Sequence, residues 1–348
     1  MGPSTMTRHP HQHDGDAVLS APSTVTDLNV AADTVRQWLD DADRVLIGAG
    51  AGLSVAAGYD YGDTVRFAEL FPALHRRGLR ARYQLIGAAL PPDLLWGYWA
   101  THVTDIRFSP GPHPVYQQLR DLIGDRDHFV MTSNVDALFA RNGFDPERIF
   151  TLQGDYGRYQ CETPCTRDTW LSKPVIDRAL AAYDAATGKV TDPDAVPACP
   201  RCGGAVFLNV HKGPEYIVDP YLPTGRRLQT WLRDTPADER LLVFDIGSGY
   251  NPPSVIRWPM ERIARGRPNG RLIRINTHHP DVPAELTGRA VGTDLAADDL
   301  LAALTSSCSP GADQPTDQPL QRNKDEHHRV LRPTTGSALS PQAPIHGS

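Results

Sequence analysis

Val45-Leu46-Ile47 is an apolar run that stops at three glycines, Gly48, Gly50 and Gly52, with Ser54 just beyond. Glycines after a strand take positive φ and let the backbone approach a ligand closely. A helix that starts there points free N–H groups and its positive dipole end at a bound anion. Ser54 stands where such a helix would take its N-cap. This chemistry suits a dinucleotide or another phosphate ester. The G-x-G-x-x-G fingerprint is incomplete, because Leu53 occupies the third glycine's place.

Four more polar turns follow apolar runs: Ser133-Asn134-Val135-Asp136, Gln153-Gly154-Asp155, Gly247-Ser248-Gly249 and Asn276-Thr277-His278. Glycine suits phosphate, Asn and Asp suit ribose hydroxyls, and serine suits either. In an open α/β sheet, ligands bind beyond the C-terminal ends of the strands, so five such turns are expected around one crevice. Four cysteines form two tight pairs, Cys161-x3-Cys165 and Cys199-x2-Cys202. Five cysteines in 348 residues are too few for a disulfide framework, and pairs so spaced read as a closed, structural zinc site. Cys308 is read as incidental.

The elements that must carry these turns are legible. Residues 28–40 read as an amphipathic helix and 45–47 as a strand. Residues 66–100 read as interrupted helix, and Val115 to Leu122 as a helix after Pro112 and Pro114. Strands are expected at 128–132, 149–152, 241–246 and 272–276, with helices at 254–265 and 295–304. The runs at 241–246 and 272–275 are near-continuously apolar, as in strands buried on both faces of a parallel sheet. Strand alternating with helix predicts a doubly wound, Rossmann-like α/β sheet. The segment 156–236 breaks the rhythm and carries the cysteines, so it reads as an inserted zinc-binding module. The catalytic domain is expected over 27–305, flanked by disordered tails at 1–26 and 306–348. His9 to His13 and His327-His328 read as solvated tail.

The bulk numbers narrow the class. A formal charge of -6 gives no footing for nucleic acid or an anionic membrane surface. No stretch approaches the roughly 20 apolar residues of a membrane span. The polar start has no apolar signal region, so the expectation is a cytoplasmic protein.

In this order, the motifs resemble those of the sirtuins. Val45–Asp60 is similar to the family's GAG-x-S-x-x-SGI-P-D-F stretch, and Thr132–Asp136 to its T-Q-N-I-D segment. Gly247-Ser248, Asn276 and Gly292 resemble the family's later strand ends and its adenine-side loop. The resemblance spans roughly residues 28–305. It implies that NAD is consumed rather than used for hydride transfer. By position it places Ala49, Gly50 and Ser54 on the diphosphate path, with Gly48 and Ala51 beside them. Asp60, Tyr61 and Ser133 are further implied cofactor-binding positions, and Gly247, Ser248, Asn276 and Gly292 fall on the adenosine side. Asn134, Asp136 and Gln153 form the implied reaction centre. Asn134 can bond a ribose hydroxyl, and Asp136 can orient the carboxamide or offset the positive charge that grows as nicotinamide leaves.

The departures are informative. Deacylases of the family carry a histidine where this chain has Gln153. An amide cannot act as a general base near pH 7. The P-D-F-R stretch is replaced by Tyr59-Asp60-Tyr61-Gly62-Asp63, with Tyr61 in the shielding aromatic's place. The gap between the cysteine pairs, 166–198, is long. These changes resemble the macrodomain-linked (class M) sirtuins, which are protein ADP-ribosyltransferases acting on lipoyl-carrier proteins. The implied partners are a protein acceptor and a macrodomain hydrolase. The implied function is NAD-dependent protein ADP-ribosyltransfer. Lysine deacylation, NAD hydrolysis and non-catalytic NAD or ADP-ribose sensing remain the rival readings. Asn209 to Glu215 reads equally as acceptor channel or plain surface.

Overall fold

A computed structural model describes residues 24–306. The greater part of both expected tails, with His9 to His13, His327-His328 and Cys308, lies outside the described residues.

Among the described residues twelve strands are formed: β1 Thr24–Val25, β2 Arg44–Ala49, β3 Asp127–Thr132, β4 Ile149–Thr151, β5 Gly154–Cys161, β6 Trp170–Leu171, β7 Tyr183–Asp184, β8 Lys189–Val190, β9 Val206–Val210, β10 Leu241–Ile246, β11 Arg271–Ile275 and β12 Ala290–Thr293. Seven of them make one sheet in the order β1-β12-β11-β10-β2-β3-β4, and every pair is parallel. The chain winds outward from β2 through β3 to β4, then returns to β10 and winds the other way. The order therefore reverses between β2 and β10, and a crevice opens there.

Alternate residues of β10 explain why this strand is apolar throughout. Leu242, Phe244 and Ile246 join a core beneath the helices Leu28–Asp41, Pro114–Ile123 and Ala297–Ser306. Leu241 and Val243 join the opposite core, beneath Leu222–Asp234 and Arg257–Arg265. The first helix starts where Asp27 accepts bonds from the Asn29 and Val30 amides. Residues 64–107 form the helices Thr64–Leu70, Pro72–Arg76 and Pro92–Arg107, with a 3-10 turn at Arg82–Leu85 between the last two.

Strands β6-β5-β9 form a separate antiparallel sheet; Cys161 ends its central strand β5, and Cys165 follows in the next loop. Its apolar side packs on Trp96, Ala100, Val103 and Ile106 of the long helix Pro92–Arg107. That helix thus joins the small sheet to the wall of the crevice.

Candidate functional site

Two glycine turns interlock at the point where strand order reverses. The Gly50 amide donates to the Ile246 carbonyl at 3.0 Å, and the Gly52 amide to the Gly247 carbonyl at 3.1 Å. A Cβ on Gly50 would lie 2.5 Å from the Gly247 oxygen, and Gly247 itself sits at φ 69. Both positions need glycine because backbone meets backbone there. The helix after β2 runs Ala51–Ala56 and starts at Gly50. Ser54 is therefore inside this helix and is not its N-cap. Its hydroxyl is spent elsewhere.

Beyond β3 the chain makes a tight turn. Ala137 holds φ 55, the one positive φ at a non-glycine position among the described residues. That strain sits between Asp136 and the helix Leu138–Arg141, where it aims the two preceding polar side chains. Asn134 donates from Nδ2 to the Gly50 carbonyl at 2.9 Å, and its own amide donates to the Thr132 hydroxyl oxygen at 3.0 Å. Fixed this way, the Asn134 side chain lines the crevice. Asp136 is buried; it accepts from the Ser54 hydroxyl at 2.6 Å and from the Leu138 amide at 2.9 Å. Burial raises its pKa, and those two hydrogen bonds pull the other way.

Gln153 lies in the turn between β4 and β5, its carbonyl held by the His211 amide at 3.0 Å. Asp155 pairs with Arg107 at 2.7 Å, which fixes this turn against the long helix. Tyr61 and Tyr156 supply the aromatic wall. The His102 ring packs edge-on to both, at 5.1 and 5.3 Å between centroids. His102 is fully buried and its pKa is pushed well below the usual imidazole value by burial and by Arg82. It is a packing histidine.

A cavity of about 560 Å³ gathers Gly50, Ala51, Ser54, Asp60, Tyr61, Ser133, Asn134, Asp136, Gln153, Gly247 and Ser248. A neighbouring cavity of about 430 Å³ holds Asn276, together with Gly52, Gly247 and His279. Gly48, Ala49 and Gly292 line neither. A Cβ on Gly48 would meet Met260 at 2.6 Å, so that glycine makes room for packing under the sheet. Ala49 is buried in β2, and its carbonyl is taken by the Ser133 amide and the Thr132 hydroxyl. Gly292 lies within β12 between β1 and β11. Tyr156, Tyr250, Arg257 and His279 line the larger cavity without having been singled out from sequence. Only an aromatic or basic residue near a strand end hinted at them, and many residues share that property. Asn209, from the suggested acceptor segment, is buried and spends its amide on Gln160 and the Ile217 carbonyl.

The sulfurs of Cys161, Cys165, Cys199 and Cys202 lie within 4.8 Å of one another, with Cys161–Cys202 at 3.8 Å and Cys165–Cys199 at 3.6 Å. A tetrahedron with metal–sulfur arms of about 2.3 Å has edges of about 3.8 Å, so the four thiols fit a zinc ion. No helix among the described residues is long and apolar enough to cross a membrane.

No protein-family model matches the chain. A Fusarium oxysporum f. sp. cubense protein described as a probable bifunctional ADP-ribose hydrolase/ADP-ribosyltransferase is 36% identical over 248 residues, covering 69% of this chain and 41% of its own length. The chain thus spans about two fifths of that relative. A Staphylococcus aureus protein ADP-ribosyltransferase is 26% identical over 266 residues, covering 75% of this chain and 82% of its own. NAD-dependent protein deacetylases of the same bacterium align at 25% over 175 residues, half of this chain. Among solved structures, a Sir2 homologue in complex with NAD superposes with a TM-score of 0.52 at 19% identity, covering 82% of this chain and 97% of its own. A parallel sheet that reverses beside two interlocked glycine turns, with a cysteine-bearing module inserted in it, is shared with that Sir2 homologue, and this chain has the Sir2 fold.

Proposed function

We propose that this protein is an NAD-dependent ADP-ribosyltransferase that modifies a protein acceptor and releases nicotinamide. The observation that carries the reading is Gln153 in the cavity with Asn134 and Asp136. A sirtuin deacylase needs a base at that position to deprotonate a ribose hydroxyl, and glutamine supplies none. Transfer has no need of a ribose base: the C1′–nicotinamide bond breaks and the departing ring keeps its electron pair, while an acceptor atom bonds to C1′ and gives up its proton to solvent. The relatives named as ADP-ribosyltransferases support the same side.

The chain's own residues divide the work. Asn134 presents its oxygen to a ribose hydroxyl, because Gly50 occupies its nitrogen. Asp136, buried beside the cavity, is the carboxyl group nearest to where a cation-like sugar would gain from negative charge. Gln153 positions the sugar or the acceptor by hydrogen bonding. Tyr61 and Tyr156 exclude water from the reacting carbon. The smaller cavity, with Asn276, takes the adenosine half. Zinc in the four-cysteine site would be closed to substrate and would hold the small sheet together. Four thiols gathered for a metal also fit a cytoplasmic address. The acceptor is read as a lipoyl-carrier protein by resemblance to the class M sirtuins. A macrodomain hydrolase as partner is supported by the fungal relative, whose description pairs the two activities.

The test is incubation of the full chain with labelled NAD and a cell lysate. Label on a discrete protein band, lost in Asn134→Ala, is the expected result. Acyl-ADP-ribose formed from an acyl-lysine peptide would overturn the reading. So would NAD loss that proceeds equally without any protein acceptor.

A further inference from the structure

The two cavities share a wall. Gly247, Gly249 and His279 line both. That wall consists of two irregular loops, 247–252 after β10 and 276–283 after β11, and residues 249–252 are exposed. One buried side chain joins the loops. Arg257, 1% exposed, lies at the start of the helix Arg257–Arg265. Its Nη1 donates to the His279 carbonyl at 2.9 Å and to the Ser248 carbonyl at 3.4 Å. Its Nη2 donates to the Asp281 carbonyl at 2.8 Å and to Asp281 Oδ2 at 2.7 Å. The guanidinium also stands 4.3 Å from the centroid of the Tyr250 ring. The Tyr250 hydroxyl donates to the same Asp281 oxygen at 2.6 Å. Asn276 adds a cross-tie, donating to the Ser248 carbonyl at 2.7 Å.

A planar guanidinium can hold two backbones at a set separation, which a lysine ammonium cannot. Burying that charge is tolerable here because every donor direction used ends on oxygen and two carboxylates, Asp281 and Glu261, stand beside it. A strand end followed by an exposed loop has no regular ladder to fix its position. Arg257 bridges the Ser248 and His279 carbonyls directly, while Arg274 donates to the Asp281 carbonyl at 2.6 Å from the other side.

We propose that Arg257 is a positioning residue for the dinucleotide, holding the two loops apart at the width the ligand needs. The Tyr250–Asp281 bond is the outer clasp of the same wall. This inference rests on the reading that the two cavities take one dinucleotide, and it is independent of which nucleophile captures the sugar after bond cleavage.

The experiment measures NAD binding to the full chain by calorimetry, with steady-state kinetics alongside. Arg257→Lys keeps the charge and loses the fork. Its Kd and KM for NAD are expected to rise about tenfold, with kcat at saturating NAD far less affected. Tyr250→Phe removes a hydroxyl from a residue 47% exposed, so the fold is not at stake. It is expected to speed NAD dissociation several-fold in stopped-flow. A folded Arg257→Lys protein that binds NAD like the wild type would overturn the proposal. So would a kcat loss at unchanged KM, which is what general damage produces. Wild-type protein that binds NAD but labels no acceptor would sink the transferase reading and leave this one standing.

Discussion

The Ser54 hydroxyl donates a 2.6 Å hydrogen bond to Oδ2 of Asp136, joining the glycine turn after β2 to the polar turn after β3. This bond couples the acidity of the proposed reaction centre to the loop proposed to hold the diphosphate. Ser54→Ala would leave one carboxylate oxygen without its partner, at about 1–3 kcal/mol of stability. Because that bond lowers the Asp136 pKa against the effect of burial, its loss should move the acid limb of the kcat/KM–pH profile to higher pH. An acid limb that stays in place would show that Asp136 is not the group titrating.

Asp136 also predicts a sign for stability. Burial, the largest cause, raises its folded pKa above the ordinary 3.8. The protonated acid is thus favoured by folding, so its contribution is full below the unfolded pKa and is lost as pH rises through the folded one. Asp136→Asn cannot lose that contribution. Its melting temperature relative to wild type should therefore be higher at pH 7 than at pH 4.5, while ADP-ribosyl transfer is abolished. Thermal melts at the two pH values read this directly, and a difference of opposite sign would reject the account.

Two glycines in one motif should respond differently. Gly50→Ala sets a methyl 2.5 Å from a backbone oxygen, which cannot move without displacing β10. Loss of NAD binding is expected, with a stability loss of about 2 kcal/mol or more. Gly48→Ala meets the Met260 side chain, which can turn. A cost of about 1–3 kcal/mol with unaltered NAD affinity is expected there. Equal loss of affinity in both variants would restore Gly48 to the ligand site.

The cysteine cluster predicts one zinc per chain by elemental analysis of the purified protein. Cys199→Ser, or treatment with a strong chelator, should remove the metal and lower the melting temperature. Because the small sheet packs on Pro92–Arg107 rather than on β2 or β10, NAD affinity should fall less than stability does. Full stability in metal-free protein would reject a structural metal.

Much of the arrangement is legible in the sequence. The apolar runs at 45–47, 128–132, 241–246 and 272–275 lie within strands, and the polar turns after them converge, because a parallel sheet places every strand's C-terminal end on one edge. Asn134, Asp136 and Gln153 line one cavity for that reason. The alternation of strand and helix predicted the doubly wound sheet.

What residue order could not supply is the direction each side chain takes at the strand ends. Gly48, Gly50 and Gly52 look equivalent in the chain, yet only the turn pair approaches β10's glycine loop, while Gly48 faces Met260. Ser54 resembled a cap, but helix packing turns its hydroxyl to Asp136. Arg257 carries no motif at all. Its importance comes from carbonyls at 248, 279 and 281 that converge only once β10 and β11 lie side by side. Local pattern determined which segments are strand, turn or helix, because propensity and burial act within a few residues. The tertiary structure decided which polar atoms satisfy one another, because those partners are brought together by folding from far along the chain.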